Sequence, residues 1–332
     1  MRVCIYGMGA IGGALAARLI RSGEAEISVI ARGATLEAVA EHGLRLRLAD
    51  EEIRVRPAVA TDDPATLPPQ QLVIVALKAF SLPAIASQLR RLLAPGAAAL
   101  FLLNGIPWWW NYGLKGAAGT LPLLDPEGML WRELGPENVL GAVVHASHTL
   151  LAPGVVSHGG GNRWLFGEPD GSMSPRIETA IALFKSAGLG AEATSDLRRE
   201  IWRKLLGNAA INPLSALTRL TLDEFTADRE LVECGAAVMR EILEIAAALG
   251  WDFRTEVDVE AMKAPPVRAK GAKPSMLQDI EAGRPTEVEA ILGQTHAFAR
   301  QAQIDAPTLS MLLTLMRSLD RAPSRFTHPV RR

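Results

Sequence analysis

Arg2-Val3-Cys4-Ile5-Tyr6-Gly7-Met8-Gly9-Ala10-Ile11-Gly12 is the stretch on which the fold turns. Residues 3–6 form a short apolar run that reads as a buried strand. Three glycines follow at the spacing Gly-x-Gly-x-x-Gly, and an Ala/Leu-rich run then continues as a helix to about Arg21, with Gly23 as its stop. This is the setting a dinucleotide fingerprint requires. The first glycine permits the tight turn, the second lets a pyrophosphate approach the backbone, and the third allows close packing of helix on sheet. The helix N-terminus attracts the anion. Gly7, Met8, Gly9, Ala10, Ile11 and Gly12 are therefore the expected phosphate-binding residues. The alternative is a glycine-rich strand-to-helix turn with no ligand.

Working outward, Ile27-Ser28-Val29-Ile30 reads as the second strand and residues 34–42 as a short helix ended by Gly43. Leu44–Leu48 and Ile53–Arg56 alternate in polarity across an acidic turn and predict an inserted hairpin. Leu72–Leu77 and Ala99–Leu103 are continuous apolar runs, as expected of parallel strands covered on both faces. The alternation predicts a doubly wound sheet. Residues 105–137 are rich in Gly, Pro and Trp and weakly periodic. Strands are expected at 139–150 and 155–166 and a helix at about 175–187. From Asp196 onward, 197–217, 223–250, 276–283 and 287–303 carry helical spacing, and a basic Lys/Pro stretch at 263–274 reads as a loop. The fold class is α/β: an N-terminal Rossmann-type doubly wound sheet followed by an all-helical C-terminal domain. The expected domains are 1–195, NADP-binding, and 196–332, carrying substrate and catalysis.

A length of 332 residues suits two such domains better than one core. Hydrophobic residues make up 48% and charged residues 21%, the balance of a globular chain, and the formal net charge of -1 argues against coating nucleic acid or an anionic membrane. The two cysteines, Cys4 and Cys234, lie far apart in sequence and predict reduced thiols. With no signal-peptide pattern and no run long enough to span a bilayer, the expected location is cytoplasmic. A homodimer is compatible with such a chain.

The end of the second strand decides which nicotinamide is expected. An NAD enzyme commonly places a carboxylate there for the ribose 2′-hydroxyl, whereas this chain has Ala31-Arg32-Gly33. A guanidinium binds a 2′-phosphate with a fork of donors, so Arg32 favours NADP(H) over a mere surface role. Ligands of such sheets sit beyond the carboxyl ends of the strands. Lys78 and Asn104-Gly105 end two of the apolar runs and are expected at the cofactor crevice. Farther along, Lys204, Asn208 and Asn212 recur every four residues among Trp202, Leu205, Leu206 and Ile211. A polar stripe in a buried helix needs partners, which a polar ligand supplies; a Glu200–Lys204 surface pair accounts for the lysine but not for the asparagines. Ser275 with Gln278, and Thr286 with Glu289, have capping-box spacing. That leaves Glu287 free to accept from a substrate hydroxyl. The six histidines show no metal spacing, so no metal is expected, and no Gly-x-Ser-x-Gly elbow is present.

Together these residues resemble the ketopantoate reductase (2-dehydropantoate 2-reductase) family over nearly the whole chain. The resemblance rests on the glycine turn, Leu77-Lys78-Ala79, Asn104-Gly105, Trp202-Arg203-Lys204-Leu205 through Asn208 and Asn212-Pro213, Ser275-Met276-Leu277-Gln278-Asp279, and Gly283-Arg284-Pro285-Thr286-Glu287. It implies NADPH-dependent reduction of ketopantoate to pantoate, toward pantothenate. Lys204 would be the general acid at the C2 oxygen, with Asn208 and Asn212 orienting it and the substrate. Ser275 would hold the substrate carboxylate and Glu287 its hydroxyl; Asn104 and Lys78 would line the junction of nicotinamide and substrate, and Arg32 would take the adenosine phosphate. Leu103 stands where the family usually has Gln, and Thr221-Leu222 where it often has Asn or Gly. Ile106-Pro107-Trp108-Trp109-Trp110 marks a subgroup, its tryptophans either walling the substrate pocket or packing a loop against the second domain. Because pocket walls set substrate choice, another branched 2-oxo acid is the nearest alternative, and a non-catalytic NADP-binding sensor the more distant one.

Overall fold

The structure, a computed structural model, describes residues 1–117, 119–263 and 270–321. The middle of the basic 263–274 stretch lies outside the described residues, and 270–274 form a turn and irregular chain. The chain divides into two compact units: Met1–Leu103 with Trp108–Leu197, and Asn104–Pro107 with Arg198–Arg332.

The first unit is built on one sheet. Its strands are β1 (Arg2–Tyr6), β2 (Glu26–Ile30), β3 (Leu44–Arg47), β4 (Glu52–Val55), β5 (Val59–Thr61), β6 (Gln70–Val75), β7 (Leu93–Phe101), β8 (Val139–Ala152), β9 (Val155–Gly167) and β10 (Gly190–Ala193). The order is β4-β3-β9-β8-β7-β6-β1-β2-β5, with β10 on the far half of β9. From β8 through β7, β6, β1 and β2 to β5 the pairing is parallel, while β3/β4 and β8/β9 are antiparallel hairpins, so the sheet is mixed. The expected hairpin at 44–56 is present and extends the sheet by pairing β3 parallel to β9. The short strands β5 and β10 were not expected. Three and four residues carry too little alternation to be read, and the neighbouring strands supply their register.

Helix α1 (Ala10–Ser22) ends as predicted: Gly23 takes a left-handed φ of 75° and donates its N–H to the Ile20 carbonyl. Its small residues let it lie close to the sheet. Ala14 and Ala17 pack with Leu46, Ile53 and Val156, and a Cβ on Gly13 would come within 2.9 Å of Val156. Helices α2 (Gly33–His42), α3 (Ala86–Leu92) and α4 (Pro175–Ser186) complete the unit. The main core joins β1, β2, β6, β7 and β8 to α1 and α4. Trp108, Trp109 and Trp110 are all buried, and Trp108 meets Phe101 and Trp131 edge to face. Of the two roles open to these tryptophans in the sequence, neither covers this one. At least Trp108 is core of the first unit.

The second unit is helical: α5 (Leu197–Thr218, whose first residue belongs to the first unit), α6 (Leu222–Ala227), α7 (Arg229–Ala248), α8 (Val259–Met262), α9 (Ser275–Glu281), α10 (Gln294–Gln301) and α11 (Pro307–Asp320). The single helix expected over 223–250 is two, because Asp228 leaves helical geometry and its carboxylate accepts from the N–H groups of Glu230 and Leu231, capping α7. The run at 287–303 begins with a π-helical turn, Glu289–Gly293, before α10. No helix of the described residues is long and apolar enough to cross a membrane.

Candidate active site

In the first unit, the carboxyl ends of three adjacent parallel strands carry the predicted cofactor residues. Gly7 follows β1, Arg32 follows β2, and Lys78 follows β6. The glycines do different work. Gly7 has φ +104°, and a Cβ there would come within 2.9 Å of the Ala76 carbonyl oxygen. A Cβ on Gly12 would collide with the Gly7 carbonyl oxygen at 1.9 Å, whereas one on Gly9 would meet nothing within 4 Å. The middle glycine thus keeps space free of protein atoms at the start of α1. No side chain caps that helix and no acidic residue stands in its first turn, so its leading N–H groups and its dipole are available to an anion. Met8 is buried in the core and offers a ligand only backbone. Arg32 is exposed at the N-terminus of α2, and Lys78 is half-buried ahead of a 3-10 turn, Ala79–Ser81. These residues fit a dinucleotide pyrophosphate.

In the second unit, helix α5 presents Lys204, Asn208 and Asn212 at the predicted four-residue interval. The partner of Lys204 is not Glu200. Its ammonium donates to Asn104 Oδ1 at 2.7 Å, and Asn104 Nδ2 donates to Glu287 Oε2 at 3.2 Å. Only one orientation of the amide satisfies both neighbours, so the ammonium and the carboxylate fix it between them. Gly105 makes the approach possible. With φ +76° and its Cβ position 2.3 Å from the Ala290 carbonyl oxygen, no other residue fits; Ile106 N–H then donates to that same carbonyl at 2.8 Å. Burial pushes the Lys204 ammonium down to about 8, against the opposing pull of the Glu287 carboxylate. Glu287 is 7% exposed. Among the described residues, neither the Asn208 nor the Asn212 amide makes a hydrogen bond.

Both predicted capping boxes fail. Ser275 is the first residue of α9 rather than its cap, its hydroxyl is exposed, and Gln278 donates to the Lys273 carbonyl instead. Glu289 is held by Arg317, and the N–H of Thr286 donates to Asp320, leaving the buried Thr286 hydroxyl without a partner among the described residues. The box forms instead at Thr221 and Glu224, opening α6. The residue that departs from the expected pattern there starts a helix. Among the described residues, Lys204, Asn104 and Glu287 come together directly; Ser275 makes no hydrogen bond to any of them. No group of three or more His, Cys, Asp or Glu side chains in the described part could hold a metal ion.

Two family profiles match the chain: "Ketopantoate reductase PanE/ApbA" over residues 3–171 and "Ketopantoate reductase PanE/ApbA C terminal" over 196–320. A 2-dehydropantoate 2-reductase of Mesorhizobium japonicum is 39% identical over 327 residues, covering 96% of this chain and 98% of its own. One from Halobacterium salinarum is 30% identical, covering 97% and 99%. Among solved structures, the 2-dehydropantoate 2-reductase of Geobacter metallireducens superposes with a TM-score of 0.82 at 29% identity, over 96% of this chain and 99% of that one.

Proposed function

This chain belongs to the ketopantoate reductase family of oxidoreductases, and from that premise we propose that it reduces 2-dehydropantoate to pantoate with NADPH. The observation that carries the reading is the Lys204–Asn104–Glu287 chain of hydrogen bonds, which holds a half-buried ammonium ready to donate.

The Gly7–Gly12 turn, Arg32 and Lys78 would hold NADPH, with Arg32 toward its 2′-phosphate, and the bound cofactor would supply the hydride for C2 of the oxo acid. Lys204 supplies the proton. Negative charge grows on the C2 oxygen in the transition state, and a positioned ammonium stabilises that charge more than it stabilises the neutral carbonyl. Asn104 occupies one of the three N–H groups of Lys204, leaving two for the substrate. At about 8, the ammonium is mostly protonated at neutral pH yet acidic enough to release its proton. Asn208 and Asn212 have amide groups open to a polar ligand, Ser275 has an exposed hydroxyl for the carboxylate, and the Glu287 carboxylate is the group to accept from the 4-hydroxyl. The work divides between a cofactor-binding first domain, 1–195, and a substrate-binding second, 196–332. The reading includes a cytoplasmic location, in keeping with two free cysteines, and admits a homodimer, which sedimentation tests.

The test is loss of NADPH absorbance on adding ketopantoate and a panel of branched 2-oxo acids, with NADH as control, on the wild type and Lys204→Ala. Rapid turnover of ketopantoate, lost in the variant with NADPH binding kept, is expected. Turnover of another panel member alone would move the substrate. Indifference to Lys204→Ala would leave a sensor.

A further inference from the structure

The helical turns that follow Glu287 begin at Val288, so Glu287 stands at their mouth, its carbonyl accepting from Ile291 N–H at 3.0 Å. Thr286, directly before it, is buried and lies ahead of the helix, where no earlier turn offers its N–H an acceptor. That N–H donates instead to Oδ1 of Asp320, the last residue of α11, at 2.8 Å. Two residues after Glu287, the same helix takes hold again. Arg317 Nε and Nη2 donate to the two carboxylate oxygens of Glu289 at 2.7 and 2.6 Å. Arg317 and Asp320 are three apart on α11, each one turn beyond a buried residue, Leu313 and Met316, so they share its inner side. They meet residues 286 and 289, which are also three apart. The site carboxylate lies between these two points of attachment.

The fork between Arg317 and Glu289 needs a glycine at 293, since a Cβ there would stand 2.2 Å from Glu289 Oε2 and 3.3 Å from Arg317 Nη2. With side chains 36% and 39% exposed, the pair adds little to stability, but a two-bond fork is directional, so its consequence is geometric. Helix α11 is itself anchored at its other end, where the Glu241 carboxylate of α7 accepts from the N–H groups of Thr308 and Leu309 at 2.9 and 2.8 Å. From the clamped stretch two bonds run on to the segment that carries Asn104: Ile106 N–H to the Ala290 carbonyl, and Asn104 Nδ2 to Glu287. A displacement of 286–289 is therefore passed to the amide that accepts from Lys204.

We propose that Asp320 and Arg317 are positioning residues: together they hold 286–289 so that the Glu287 carboxylate meets the Asn104 amide, and through it they orient Lys204 for the reaction. This rests on the reading of Glu287 and Lys204 as active-site groups. The test is steady-state NADPH oxidation at 25 °C by the full chain, with the 2-oxo acid of the panel that the wild type turns over best. The variants are Asp320→Ala, Asp320→Asn, Arg317→Met, Glu287→Ala and the Glu287→Ala/Asp320→Ala pair, each with a thermal melt. Asp320→Ala removes the acceptor of the Thr286 N–H, and a carboxylate displaced by about 1 Å lowers kcat by about ten- to a hundredfold. Affinity for NADPH stays within about twofold, because the glycine turn is untouched. Asp320→Asn keeps an oxygen for that N–H and stays within about threefold of wild type. Arg317→Met keeps its Tm within a few degrees and lowers kcat by about three- to tenfold. In the Glu287→Ala background Asp320→Ala adds less than about twofold, since no carboxylate is left to position. A full Asp320→Ala loss in that background overturns the proposal, as does a lowered Tm with kcat unchanged in both Asp320→Ala and Arg317→Met. Should Asp320→Ala fail to fold, kcat of Arg317→Met decides. If Glu287→Ala leaves kcat/KM intact, the reading of the site falls and this proposal with it.

Discussion

Replacing Lys204 with Met removes the proton donor and should make the protein more stable. The Lys204 ammonium is pulled from 10.5 to about 8 chiefly by burial. At about 1.36 kcal/mol per pH unit, that drop corresponds to roughly 3 kcal/mol against the charged form in the folded state. Methionine carries no such penalty. The variant loses the bond to Asn104, worth about 1 kcal/mol, so a net gain of about 1–2 kcal/mol is expected at pH 7, a few degrees in Tm. The sign can be tested by pH. Because the folded-state value lies below the unfolded one, the folded chain releases this proton first. The penalty is therefore fully present below about pH 8 and disappears as pH rises toward 10.5. Urea unfolding followed by tryptophan fluorescence at pH 7, 9 and 10.5 should show the variant's advantage shrinking over that window and, once the penalty of about 3 kcal/mol is gone, changing sign. Turnover should meanwhile fall by about 10²–10⁴, with NADPH binding kept. A variant that is less stable at pH 7, by a margin that does not change with pH, would refute the reasoning.

Three further outcomes follow from the same geometry. Reductive kcat/KM should decline above about pH 8, as Lys204 deprotonates, and Glu287→Gln should move that limb to lower pH by removing the charge that favours the ammonium; pH–rate profiles decide, and a shift upward would contradict the assignment. Gly9→Ala, whose Cβ would meet nothing within 4 Å, should keep its Tm and lose NADPH affinity, whereas Gly12→Ala, 1.9 Å from the Gly7 carbonyl oxygen, should lose both, as thermal melts and cofactor titration will show. Asp228→Ala should cost about 1 kcal/mol in urea unfolding by uncapping α7, with kcat at 25 °C unchanged.

The parts of the fold legible in the sequence are those whose signal is local. Periodicity and terminal glycines located α1, α2 and the β3/β4 hairpin because hydrogen bonds within a few residues decide them. Capping was misread for the opposite reason. A Ser or Thr followed three residues later by Gln or Glu offers a local bond, but at Ser275 the glutamine goes to Lys273 and at Thr286 the glutamate goes to Arg317, 28 residues from its own position. Long-range partners outbid the local ones. The same split runs through the site. The stripe of Lys204, Asn208 and Asn212 stands out as polar residues on an apolar helix. That Asn104 is the lysine's partner does not, since 100 residues separate them and no local pattern joins them.

That partner is an amide for a physical reason. A carboxylate at position 104 would hold the ammonium more tightly, raise its affinity for the proton, and place two negative groups side by side with Glu287. A hydrocarbon would leave a half-buried ammonium with no acceptor. Asparagine does neither: it accepts from the cation and donates to the anion at the same time, so each charge polarises the bond the other makes. Glu287 thereby acts on Lys204 through an oriented dipole and through space, keeping the lysine charged enough to donate without neutralising it in a direct pair. The result is an acid near 8 whose free N–H groups remain available to a substrate oxygen. A direct ion pair between Lys204 and Glu287 would be better for the fold and worse for the reaction.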